Sequence, residues 1–204
     1  MQTLIFVVYI GLFLMGYVLG SIPFGLVVAR AFGLGDLRQI GSGNIGATNV
    51  LRTGNKLAAL LTLIGDSGKG AFAVLIAYLI APDGAAIFAA FGAILGHCFP
   101  ITLGFKGGKG VATFLGTMLA LSFPAGLAAC ATWLVMAAIF RFSSLAALMA
   151  TATSPIWMAW FGPENNGVWA FLTALMALLV WVRHADNIKR LRNGTETKIG
   201  QKKS

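Results

Sequence analysis

The run Phe105-Lys106-Gly107-Gly108-Lys109-Gly110 sets three glycines and two lysines between two apolar segments. Glycines let a backbone come close to a ligand, and lysines supply positive charge for a phosphate. The residues that follow, Val111 to Leu121, read as an apolar helix, so the loop ends where free N–H groups and the helix dipole attract anions. This is not a nucleotide loop. The Gly required five residues before the Gly-Lys pair is missing, and Gly110 stands where a Ser or Thr would hold magnesium. Lys106 suits a topogenic role. Lys109, at the helix start, opposes the dipole unless an anion binds there too.

Two further clusters carry polar chemistry. Gly41-Ser42-Gly43-Asn44-Ile45-Gly46-Ala47-Thr48-Asn49-Val50-Leu51-Arg52 combines glycines whose N–H groups can converge on an anion, neutral hydrogen-bonding side chains, and the planar fork of Arg52. Ser42 or Asn44 alone would read as a helix cap or turn residue. Near the end of the chain, His184 and Asn187 are three apart and share a face if the helix continues. Arg183 beside them reads as an interfacial anchor. Asp66 and Lys69, also three apart, lie inside an apolar stretch. They read equally as a structural ion pair and as a ligand site. His97 reads as a satisfied buried histidine.

Several chemistries are absent from the pattern. There is no H-E-x-x-H, no Cys/His metal cluster, no G-x-S-x-G elbow and no paired carboxylates of glycosidase type. Neither histidine is followed by an acid at the H-x-x-x-x-D spacing of the acyl-CoA-type glycerophosphate acyltransferases. Cys98 and Cys130 lie in apolar runs and read as inert small hydrophobes.

The elements that must position these groups are membrane helices. The 204 residues are 58% hydrophobic and 10% charged, with a mean hydropathy of +0.84, against about 25% charge in a soluble domain. The expected fold is an all-α integral membrane protein, a single domain over residues 1–204, with about seven transmembrane helices. These fall at Leu4–Ala29, Leu57–Ala81, Ala85–Leu103, Val111–Ser122, Pro124–Phe140, Leu145–Phe161 and Val168–Val182. The first is read as a retained helix, too long for a signal peptide core. Turns are expected at Pro82-Asp83-Gly84, Ser122-Phe123-Pro124 and Gly162–Gly167.

With the N-terminus outside, every Lys and Arg except Lys69 falls in an inner loop or in the cytoplasmic tail, and the outer loops hold only Asp83 and Glu164. The net charge of +9 therefore reports orientation, with no nucleic-acid partner implied. The tail from Arg183 holds seven basic residues against Asp186 and Glu196 and reads as a solvated segment near anionic lipid. A transporter for an organic phosphate would place its site near the midplane with internal repeats, and neither is visible. A non-enzymatic lipid-binding factor would leave the glycine clusters without a purpose.

The three clusters, in this order and on one face, resemble the bacterial acyl-phosphate:glycerol-3-phosphate acyltransferases, the PlsY family. The resemblance rests on Gly41–Arg52, on Gly96–Thr113, on His184…Asn187 and on the opening Gly20-Ser21-Ile22-Pro23-Phe24-Gly25, and it spans nearly the whole chain. It implies transfer of a fatty acyl group from acyl phosphate to the 1-position of glycerol-3-phosphate, giving lysophosphatidate and inorganic phosphate. This is the first acylation of phospholipid synthesis, at the bacterial inner membrane with the site facing the cytoplasm. It implies no cofactor and no metal, and it leaves room for transient contact with a soluble phosphate acyltransferase. His184 and Asn187 would be the catalytic pair. Ser42, Gly43, Asn44, Asn49, Arg52, Gly107, Gly108 and Lys109 would bind substrate. Either His184 or the donor's own phosphate could take the proton, and no acid is placed to orient His184.

Overall fold

A computed structural model describes residues 2–81, 84–163 and 166–201. The turn residues Pro82, Asp83, Glu164 and Asn165 and the tail residues 202–204 lie outside the described residues, and with them the expected acids of the outer loops. The described residues form helices and turns without a strand: α1 (Gln2–Gly20), α2 (Phe24–Ala31), α3 (Ala47–Leu51), α4 (Lys56–Ile80), α5 (Ala86–Cys98), α6 (Val111–Leu121), α7 (Phe123–Phe140), α8 (Ser143–Phe161), α9 (Asn166–Arg183) and α10 (Ala185–Arg192).

Each expected span corresponds to helix. Among the described residues, five segments are long and apolar enough to cross a membrane: Gln2–Ala31, Lys56–Ile80, Ala86–Leu103, Phe123–Phe140 and Asn166–Arg183. α8 has 19 residues but is more polar, with Ser143, Ser144, Thr151, Thr153 and Ser154 along it. α6 has only 11 residues, too short to span alone. It does not reach back into the glycine-rich loop, because Gly110 takes a left-handed conformation at φ 81° and ends it.

The first segment is two helices. Pro23 has no N–H to continue the ladder, and the chain breaks at Ser21–Pro23. The break leaves the Ile22 carbonyl available, and Lys69 Nζ donates to it at 2.7 Å.

Small residues set the helix contacts. Gly16 and Gly20 of α1 meet the backbone of Ala89 and Ala93 on α5, and Gly92 and Gly96 of α5 meet the backbone of Phe13 and Tyr17 on α1. A Cβ at any of the four would collide with main chain. This is the small-xxx-small packing that lets apolar helices associate without a hydrophobic driving force. Gly116 of α6 packs in the same way on Ser67 of α4, so α6 begins about 9 Å further into the bundle than α4. Gly126 brings α7 onto the α6 backbone at Leu119.

Candidate active site

The first polar loop is organised from its centre. Gly41 and Gly43 take positive φ, 54° and 69°, which turns the chain back on itself. Asn49 on α3 is buried in the fold of that turn. Its Nδ2 donates to Leu37 O at 2.9 Å, and its Oδ1 accepts from the Ser42 N–H at 3.1 Å and Arg52 Nη1 at 3.4 Å. Asn49 thus holds Ser42 and Arg52 in place. The other arm of the Arg52 fork, Nη2, donates to Thr197 Oγ1 at 3.1 Å.

The glycine-rich loop is latched to the end of α5. The Gly107 and Gly108 N–H groups donate to Cys98 O (3.2 Å) and His97 O (3.0 Å). Arg183, read from the sequence as an interfacial anchor, instead binds this loop: Nε donates to Gly108 O and Nη2 to Gly107 O, both at 3.1 Å, while its guanidinium lies over Phe99. A Cβ at Gly108 would strike the His97 ring, so only glycine fits. These contacts place Lys109 where its Nζ donates to Asn187 Oδ1.

The third cluster closes the site. His184 stands between α9 and α10, yet Ile188 N–H still donates to its carbonyl at 2.9 Å, so His184 and Asn187 remain on one buried side. His184 Nδ1 donates to Val180 O at 2.7 Å, since a carbonyl can only accept. The neutral ring therefore keeps its lone pair on Nε2. Burial pulls the His184 pKa down to about 4, with Lys109 adding to the shift against the Val180 bond. Burial also lowers Lys109 to about 8, helped by Arg190 and opposed by Glu196 and Asp186.

Glu196 is a site residue that the sequence reading counts only as tail charge, and an acid in so basic a segment is the signal for it. Its Oε1 accepts from Ser144 Oγ and Asn187 Nδ2, both at 2.7 Å, and its Oε2 from Arg190 Nε at 2.6 Å. Burial pushes its pKa up, but these hydrogen bonds outweigh burial and hold the carboxyl below its usual value. Because Asn187 gives its NH2 to Glu196, its carbonyl oxygen is the atom left for Lys109. The tail as far as Glu196 and Thr197, expected to be solvated, is therefore part of the cavity wall.

One cavity of about 560 Å³ gathers most of these groups. Ser42, Asn44, Asn49, Arg52, Asp66, Lys109, His184 and Asn187 line it, together with Glu196, Thr197 and His97. Gly43, Gly107, Gly108 and Lys69 are not among its lining residues. The glycines act through backbone shape. Lys69 pairs with Asp66, to whose Oδ1 it donates at 2.8 Å. The cavity continues into an apolar arm formed by Leu60 and Leu63 of α4, Leu115 and Leu119 of α6, and Trp133 and Leu134 of α7. Leu63 and Leu134 are 46% and 62% exposed, so the arm opens sideways. Among the described residues no group of three His, Cys, Asp or Glu side chains could hold a metal ion.

The glycerol-3-phosphate acyltransferase family profile matches residues 10–194. A glycerol-3-phosphate acyltransferase of Cereibacter sphaeroides is 61% identical over 190 residues, covering 93% of this chain and 89% of that protein. One of Rhodospirillum rubrum is 58% identical over 198 residues, covering 93% and 90%. Two crystal structures of PlsY, an integral membrane glycerol 3-phosphate acyltransferase, are similar in fold. The glycerol 3-phosphate form has a TM-score of 0.86 at 37% identity, covering 94% of this chain and 96% of that one. The lysophosphatidic acid form has a TM-score of 0.84 at 35% identity, covering 94% and 95%. With its fold and nearly its whole length matched, the chain belongs to the glycerol-3-phosphate acyltransferase family.

Proposed function

We propose that this chain, a single membrane domain, transfers a fatty acyl group from acyl phosphate to the 1-hydroxyl of glycerol-3-phosphate. The observation that carries the reading is the joined cavity. Basic and polar side chains gather in one part of it and an apolar arm extends from them, which suits one substrate that is all head group and another that is phosphate plus chain. Lys109, Arg52 and Ser42 bind the glycerol phosphate, while His184 and Asn187 complete the pocket. Asn44 adds a neutral contact. Gly43, Asn49, Gly107 and Gly108 shape the two loops.

An acyl phosphate is a mixed anhydride with a good leaving group, so the chain needs neither a nucleophile of its own nor a carrier thioester. The 1-hydroxyl oxygen forms a bond to the acyl carbon as the bond from that carbon to the phosphate oxygen breaks. The hydroxyl proton passes to the departing phosphate. Positioning and charge stabilisation are the tasks left to the protein. With a pKa near 4, His184 is a poor proton acceptor at neutral pH, which favours the donor's phosphate in that role. The imidazole is then a positioning group. If His184→Gln abolished turnover at unchanged glycerol-3-phosphate affinity, the histidine would be the base instead.

The charge pattern supports an N-terminus outside, a cytoplasmic C-terminus and a site facing the cytoplasm of a bacterial inner membrane. A soluble phosphate acyltransferase, which moves an acyl group onto inorganic phosphate, would then supply the donor at that face by transient contact. The test is direct. Purified protein in detergent receives labelled glycerol-3-phosphate with palmitoyl phosphate, or with palmitoyl-CoA in a parallel reaction. Lysophosphatidate from the first alone is expected. Product from the second alone would overturn the donor assignment, and none from either would overturn the enzyme reading.

A further inference from the structure

Asp66 is the cavity group that the reaction above leaves without a task. It is 2% exposed, ten residues into a membrane helix, and it lines the cavity. A carboxylate in such a place is costly unless paired and put to use. Its Oδ1 accepts from Lys69 Nζ at 2.8 Å, and His97 Nδ1 approaches the same oxygen at 3.5 Å. Lys69 is fixed in turn by the Ile22 carbonyl at the α1–α2 break. The carboxylate is therefore held from one side only. Among the described residues Oδ2 takes no hydrogen bond, and it is not among the buried atoms shut off without a partner, so it keeps access to the cavity. The other carboxylate on the cavity wall, Glu196, already uses both oxygens.

We propose that Asp66 Oδ2, braced by Lys69, accepts a hydrogen bond from the 2-hydroxyl of glycerol-3-phosphate and so fixes which hydroxyl is acylated. This deepens the acyl-transfer reading and rests on it. The ammonium of Lys69 offsets the carboxylate's charge, so the group can sit near a phosphate-bearing ligand without repelling it. A carboxylate already bridged by an ammonium makes a good hydrogen-bond acceptor and a poor proton taker. It therefore suits the hydroxyl that keeps its proton. The attacking 1-hydroxyl must lose its proton to the departing phosphate. With the phosphate on Lys109 and Arg52 and the 2-hydroxyl on Asp66, only the 1-hydroxyl is left to face the acyl donor.

The test compares three acceptors with palmitoyl phosphate as donor: glycerol-3-phosphate, 3-hydroxypropyl phosphate, which lacks the 2-hydroxyl, and 2-fluoro-3-hydroxypropyl phosphate, whose fluorine can accept but not donate. In the wild type, kcat/KM should fall about tenfold to a hundredfold for both analogues, the range for a hydrogen bond to a charged group. A fluoro analogue within about threefold of glycerol-3-phosphate would overturn the proposal, because the 2-hydroxyl would then be accepting rather than donating. No turnover of glycerol-3-phosphate itself would instead overturn the function on which the proposal rests. Asp66→Asn locates the effect. Lys69 has only donors, so it holds the amide oxygen and turns the NH2 to the cavity. The variant should lose about tenfold on glycerol-3-phosphate yet stay within about threefold on 3-hydroxypropyl phosphate, as expected for one charge-assisted hydrogen bond. Equal losses on both acceptors would overturn the assignment to Asp66. Should the variant not fold, the wild-type comparison decides alone, since Asp66 is the carboxylate on the cavity wall with an open oxygen.

Discussion

The α1–α5 contact and the cleft between α4, α6 and α7 use the same small residues to opposite ends. In the first, four glycines in two reciprocal pairs bring backbones together and leave no space. In the second, Gly116 seats α6 on α4 and Gly126 brings α7 onto α6 at Leu119, while Leu60, Leu63, Trp133 and Leu134 line the space that remains. Glycine position therefore decides where helices touch and where a chamber stays open. The closely packed pair also reaches the candidate site, since α5 ends in the His97 and Cys98 carbonyls that latch the glycine-rich loop.

The largest effect should come from breaking the closed side. Gly92→Leu drives a side chain into the Phe13 carbonyl and is expected to cost about 3 kcal/mol or more, seen as loss of the monodisperse peak and of cooperative unfolding in detergent. Gly11→Leu, on the partner helix α1 but with nothing near its Cβ position, should leave both unchanged. Equal damage from the two would show that close approach is not what those glycines provide.

Next in size is a change on the open side. Lys109→Ala should lower kcat/KM by about a hundredfold to a thousandfold, as for removal of one aimed charge, with no loss of Tm, since burial already penalises the ammonium. Wild-type activity would reject the phosphate-site assignment.

A smaller effect tests the electrostatics. Lys109 titrates near 8, so the KM for glycerol-3-phosphate should rise about tenfold from pH 7 to pH 9 as the ammonium is lost. Lys109→Arg should flatten that rise. Stability runs the other way. The unfolded lysine binds its proton up to 10.5, so the Lys109 contribution to stability grows as pH rises from about 8 to 10.5. A KM that stays flat to pH 9 in the wild type would contradict the buried-lysine account.

The smallest effect concerns the tail. Thr197→Val removes the acceptor for Arg52 Nη2 and should raise the KM for glycerol-3-phosphate about threefold with kcat kept, as for one ordinary hydrogen bond. Thr197→Ser should restore it.

The helices were legible because apolar runs of membrane length leave few alternatives. The break at Ser21–Pro23 was signalled by Pro23, but the continuous hydrophobicity on both sides hid it. The three polar clusters were legible because glycine, amide and basic side chains are conspicuous in an apolar chain. What the sequence could not give was the partner of each group. That Arg183 braces the glycine-rich loop depends on how the end of α9 packs beside Gly108, 75 residues away in sequence. That Glu196 orients Asn187 depends on the tail turning back after α10, which no periodicity encodes. His184 has no acidic orienter legible in the sequence, and among the described residues its Nδ1 pairs with a carbonyl instead. A backbone carbonyl one turn earlier serves, and carbonyls have no sequence signature.

The sideways opening beside Leu63 and Leu134 bears on what happens after chemistry. A lysophosphatidate formed in this cavity would already have its tail lying among neighbouring lipid chains. To leave, the product need only release its head group and drift into the leaflet. Each methylene drawn through water would add about 0.8 kcal/mol to an exit by the polar end, so a long chain would be trapped there. The slot turns release into lateral diffusion, and turnover then need not slow as the acyl chain lengthens.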